Sequence, residues 1–156
     1  MNWLRDMFTN PFLLIPLSSW AVAQVLKTII HAIINKKLDL LRLMGDGGMP
    51  SGHSATVSSL AVFCGFYYGT NSFQFAVTMV LAIIVCHDAM GVRLETGKQA
   101  VVLNELLSTL STIESMTKGE FTDVKLKEFV GHTPIQVLAG IMTGALNAIV
   151  MFHVFY

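Results

Sequence analysis

The sequence predicts an all-α integral membrane protein: a helical bundle of about four transmembrane helices plus one helix at the membrane surface. Two observations predict it. Hydrophobic residues make up 53% of the 156 residues and charged residues only 13%, against about 25% charged in a soluble domain. A soluble chain this small has too much surface for so few charges. The apolar residues also gather in runs of membrane-crossing length, and a spanning backbone that must satisfy its own hydrogen bonds is helical by default. The length suits one membrane-embedded domain, residues 1–156.

The first predicted span runs from about Pro11 to Ile34. The preceding Met-Asn-Trp-Leu-Arg-Asp lacks a basic leader and a small-residue cleavage site, so this run reads as an anchor rather than a removed signal. Gln24, Lys27 and His31 fall in its second half. A polar, basic stretch follows, with Lys36, Lys37 and Arg42. Span two is expected from about Ser54 to Gly69 and span three from about Phe73 to Met90, joined by Thr70-Asn71-Ser72. Both runs are short, and a partly re-entrant course is the alternative. Within Gly91 to Thr133, the residues Val101, Val102, Leu106, Leu107 and Leu110 recur at helical spacing. They predict the helix at the membrane surface or packed on the spans. Span four takes about Pro134 to Tyr156.

Four spans put both termini on one side. The other side collects Lys36, Lys37, Arg42, Arg93, Lys98, Lys118, Lys125 and Lys127, while the terminal side holds Arg5. The positive-inside rule then predicts a cell-membrane protein with its basic loops in the cytoplasm.

Ten basic and ten acidic residues cancel, which gives no electrostatic footprint for nucleic acid. Cys64 and Cys86 lie in apolar runs without metal-ligand spacing and read as small buried hydrophobes. No metal or cofactor is expected.

Three polar clusters fall on the basic side: Gly47 to Ser54, His87 to Arg93 with Gly97-Lys98-Gln99, and Gly131-His132-Thr133-Pro134 with Gln136 one turn later. Lys27 lies toward the same end of span one. Such a set suits phosphoryl transfer. A Gly-rich turn opening a helix offers N–H groups and a positive dipole end to phosphate. Lysine and arginine neutralise its oxygens. One histidine can attack phosphorus while another protonates the leaving oxygen. Structural readings stand beside these: Ser51 or Ser54 as a helix cap, His132 as a polar residue at a helix start, Asp88 with Arg93 as an ion pair, and Lys27 and His31 as side chains snorkelling to the interface. His87 and His153 read as interfacial.

Pro50-Ser51-Gly52-His53 resembles the second signature motif of the type 2 phosphatidic acid phosphatase and vanadium haloperoxidase superfamily. His132 to Gly140 is similar to the end of its third motif, a histidine followed four residues later by an acid. With Asp88-Ala89, Val92-Arg93, Gly97-Lys98-Gln99-Ala100 and Leu103-Asn104, the chain looks like a small, divergent branch of that superfamily, from about Asn10 to Ala148. The resemblance implies a lipid phosphatase for a phosphatidate or prenyl phosphate. His132 would be the nucleophile forming a phosphohistidine, and His53 the acid. Ser51 and Gly52 would cradle the phosphate, with Lys27, Arg93 and Lys98 as its cations. Three departures stand out: no Arg-Pro pair follows Lys27, Leu126 occupies the third motif's arginine position, and Gln136 replaces the orienting acid. By analogy with the serine-protease triad, losing such a carboxylate costs about 10⁴ in rate; Asp88 is the candidate to compensate. The alternatives are a phosphate- or lipid-binding membrane protein without turnover, and a scaffold subunit. Gly65 to Gly69 and Gly140 to Gly144 are small-residue pairs that serve either packing within the chain or a homodimer.

Overall fold

The computed structural model describes residues 2–37, 47–115, 126 and 131–156, and these are helical throughout apart from turns and connections. Six helices follow in order: α1 (Trp3–Phe8), α2 (Pro11–Asn35), α3 (Gly52–Tyr68), α4 (Phe73–Met90), α5 (Val92–Ser115) and α6 (Pro134–Phe155). Among the described residues, three helical stretches are long and apolar enough to cross a membrane: Pro11–Asn35, Phe73–Leu110 and Pro134–Phe155. With 17 residues α3 is shorter; at 1.5 Å per residue it still reaches about 25 Å, most of the hydrocarbon thickness.

The helix boundaries have local causes. Pro11 opens α2 where its missing N–H costs nothing, and the Asn10 side chain accepts from the Phe12 N–H. Ser51 caps α3 and Ser72 caps α4. Thr133 and Gln136 form a reciprocal capping box on α6, with Pro134 in its first turn. The predicted spans match α2, α3, α4 and α6 to within about two residues. The short α1 lies outside the sequence-based expectation.

The centre of the bundle is α3, which packs on α2, α4 and α6. Without a hydrophobic force between helices in lipid, close approach of small residues must hold them together. The buried contacts fit that rule: Ser51, Ser54, Ala55, Ser58 and Ser59 of α3 are buried, and so are Gly140, Gly144 and Ala148 of α6. A methyl placed on Gly140 would stand 2.5 Å from the Ser51 carbonyl oxygen. One on Gly144 would meet the Ala55 carbonyl and the Ser58 hydroxyl. The Gly140–Gly144 pair is therefore filled by α3 of the same chain, so it does not supply the homodimer contact. Hydrogen bonds reinforce the bundle. Ser58 donates to the Ile141 carbonyl, and the Asn147 amide reaches the Ser18 and Ser19 hydroxyls at 2.9 and 2.7 Å. Aromatic rings of Phe12, Phe63, Tyr67, Phe152 and Tyr156 cluster at the end near the chain termini.

Helix α5 follows α4 after Gly91 and, among the helices, packs on α4 alone. Val101, Val102, Leu106 and Leu110 are exposed along it, as suits a helix that meets lipid.

Candidate active site

Four chain segments meet at the bundle end remote from the termini: the second half of α2, the turn leading into α3, the end of α4 and the entry to α6. Specific bonds draw them together. The Ser51 N–H donates to the Gln136 carbonyl at 2.9 Å, joining α3 to α6. The His132 N–H donates to the Ala89 carbonyl at 3.0 Å, joining the α6 entry to α4. Gly48 has φ +86°, a conformation open to glycine, and a side chain there would press on the Lys27 stem at 3.3 Å. The turn can thus lie directly on α2.

This assembly sets the His53 and His132 rings 6.2 Å apart between centroids, edge to face. They come from residues 79 positions apart in the sequence. His132 is buried, 3% exposed, whereas His53 is exposed. The Gln136 side-chain oxygen accepts from the Thr133 N–H at 3.2 Å and lies 3.3 Å from His132 Nδ1. An oxygen already facing an N–H donor is fixed in orientation, so Nδ1 must carry the ring proton and donate to it. The neutral ring then carries its lone pair on Nε2. Burial pulls the His132 pKa below its ordinary 6.5, and the charges of Lys27 and His53 pull the same way. Hydrogen bonds to Gln136 and the Gly48 backbone oppose that pull.

The other predicted site residues divide. Lys27 is buried, 4% exposed, beside the Gly48 turn. Gly52 is buried against Trp20 and begins α3. Ser51 is fully buried, and its hydroxyl accepts from the Ser54 hydroxyl at 3.0 Å. With its N–H given to Gln136 and its hydroxyl accepting from Ser54, Ser51 holds the turn and caps α3. Lys98 is exposed on α5 and pairs with Glu95 at 2.6 Å. Asp88 is half-buried beside Ala89, and it is not among the groups that shift His132. The Arg93 side chain lies outside the described residues, as do Arg42, Lys118, Lys125 and Lys127. Leu126 is tied to α5, its N–H and carbonyl each 2.9 Å from the Asn104 amide. The position of the missing motif arginine thus adjoins α5. Among the described residues no group of three His, Cys, Asp or Glu side chains is placed to hold a metal.

The polar residues named in the first span belong to a longer face that includes Thr28 and Asn35. Gln24, Lys27, Thr28, His31 and Asn35 form a polar stripe along α2. Its signal was present, since polar residues recurring at helical spacing inside an apolar run mark a face that avoids lipid.

The fold and site define a helical membrane protein with two facing histidines at one end of its bundle. The chain belongs to the family described as Divergent PAP2, which matches residues 8–147. It is also 37% identical over 156 residues to the uncharacterized membrane protein YuiD of Bacillus subtilis (strain 168), an alignment covering 96% of this chain and 99% of that protein. No solved structure matches the chain.

Proposed function

We propose that this protein is a membrane-embedded phosphatase that hydrolyses a lipid phosphate, of phosphatidate or prenyl phosphate type, through a phosphohistidine and without a metal. The observation that carries the proposal is the pair of rings 6.2 Å apart, one buried with its Nδ1 held by Gln136 and one exposed. His132 Nε2 attacks phosphorus, forming the N–P bond as the ester P–O bond breaks. His53 gives its proton to the departing alcohol oxygen. His53 then takes a proton from water, whose oxygen attacks the phosphohistidine. Orthophosphate leaves and both rings return to their starting forms. Lys27 and the N–H groups of the first turn of α3 stabilise the added negative charge.

Gln136 supports a second reading, a protein that binds a lipid phosphate without turning it over, because a neutral amide orients His132 but does not stabilise its cation. Phosphate release from purified protein, assayed over a panel of lipid phosphates without divalent metal and with vanadate as inhibitor, separates the two. Release that His132→Ala and His53→Ala each abolish supports the phosphatase. Wild-type rates in both variants refute the catalytic assignment. Binding without release in the wild type supports the second reading. The basic loops further lead us to infer that the site faces the cytoplasm.

A further inference from the structure

A cavity of about 220 Å³ lies beside the histidine pair, bounded by Lys27, Ile30, His31, Ile34, Asn35, Gly48, Met49 and Gln136. At about 30 Å³ for each water in the liquid, it exceeds what one or two waters fill. It adjoins the reaction centre: the Gln136 side chain on its wall lies 3.3 Å from His132 Nδ1, and the Lys27 charge acts on that ring.

The polar lining is rich in donors. Lys27 brings an ammonium group, buried at 4% exposure. The Gln136 oxygen is turned to Thr133 and His132, which leaves its amide NH₂ to donate. The Nδ1 atom of His31 is shut away without a hydrogen-bond partner. A proton there would be a buried, unsatisfied donor, so the neutral ring keeps its proton on Nε2, at the ring's other edge. None of the eight lining residues carries a carboxylate. Ile30, Ile34 and Met49 supply apolar walls that strengthen any charge interaction inside.

We infer that this cavity is a second anion subsite, next to the phosphoryl group transferred at His132, with His31 and the Gln136 amide as donors beside Lys27. Its ligand is a phosphate-sized anion. Two sources share that chemistry: the further phosphate of a lipid diphosphate, or free orthophosphate retained after release. The inference rests on the phosphatase reading for what the neighbouring centre does, but the cavity's anion affinity stands independently of turnover.

The test uses purified full-length protein in detergent and the variants His31→Leu and His31→Gln. Binding of inorganic pyrophosphate and orthophosphate is measured by calorimetry. Phosphate release is followed from a lipid diphosphate and a lipid monophosphate of the same chain. The expected result is pyrophosphate binding at least tenfold weaker in His31→Leu and close to wild type in His31→Gln, which keeps a donor. If the substrate's own second phosphate is the ligand, KM for the diphosphate rises about tenfold in His31→Leu while that for the monophosphate holds. If free orthophosphate is the ligand, only its inhibition constant rises. Pyrophosphate affinity unchanged in His31→Leu, or lowered equally in His31→Gln, overturns the subsite. A wild type that releases no phosphate from any lipid refutes the phosphatase reading and leaves the binding comparison to decide the subsite.

Discussion

At the scale of single residues, the proposed chemistry turns on how Gln136 holds His132. Its side-chain oxygen serves the α6 cap and the imidazole together, and its backbone carbonyl fixes Ser51. The motifs made His53, His132 and Gln136 legible in the sequence. The fixed orientation of the amide was not legible, because it depends on the Thr133 N–H in three dimensions. Ser51 as a helix cap was legible, but the bond from its N–H to the Gln136 carbonyl was not, because that partner lies on a distant helix. In the proposed mechanism a neutral His132 is the reactive form, so kcat/KM should rise with pH through its pKa. Burial holds that pKa below 6.5, and the acid limb of the pH profile should therefore lie below pH 6.5. In Gln136→Glu a carboxylate beside Nδ1 favours the imidazolium, and the limb should move to higher pH. An acid limb that stays in place in this variant would show that His132 does not govern it. Gln136→Leu removes the orienting acceptor and should lower kcat by about 10²-fold or more, in the range of other positioning losses; single-turnover kinetics would show it.

Among the helices, the decisive contact is α3 on α6. The sequence displayed Gly140 and Gly144 as a small-residue pair but did not say what they meet. Periodicity reports which face is small, whereas the partner is a long-range choice. The structure puts α3 there, with Ser51 and Ala55 carbonyls where side-chain carbons would have to go. Gly140→Ala should destabilise the bundle by about 1–3 kcal/mol, the usual scale of overpacking, and Gly144→Ala similarly. Thermal unfolding in detergent checks this: both melting temperatures should fall below that of Met142→Ala, an exposed α6 position. Asn147→Leu removes the bonds to Ser18 and Ser19 and should cost about 0.6–1.7 kcal/mol, as interhelical hydrogen bonds do in membranes. The span boundaries were legible because Pro11, Ser72 and Pro134 punctuate them. The short α1 lacked any apolar run long enough to announce it.

Across the whole molecule, four crossings deliver α2, α3, α4 and α6 to one end, so residues scattered from Lys27 to Gln136 share a site. That convergence followed from topology alone and was legible once the apolar runs were counted. The pairing of Lys98 with Glu95 on α5 was not, since it depends on which charges α5 sets side by side. The proposed cytoplasmic placement of the site rests on the basic loops. In a Cys64→Ala, Cys86→Ala background, Lys36→Cys should resist a membrane-impermeant maleimide in intact cells and react in inside-out vesicles, while Asn71→Cys should do the reverse. The opposite pattern would put the site outside.

The most direct measurement is a rapid acid-free quench of the protein turning over a lipid phosphate labelled in its phosphoryl group, followed by peptide mapping. Label on His132, lost in His132→Ala together with phosphate release, is the expected result. Sustained phosphate release with no label on His132, or release that persists in His132→Ala, would contradict a phosphoryl group shared between the two imidazoles.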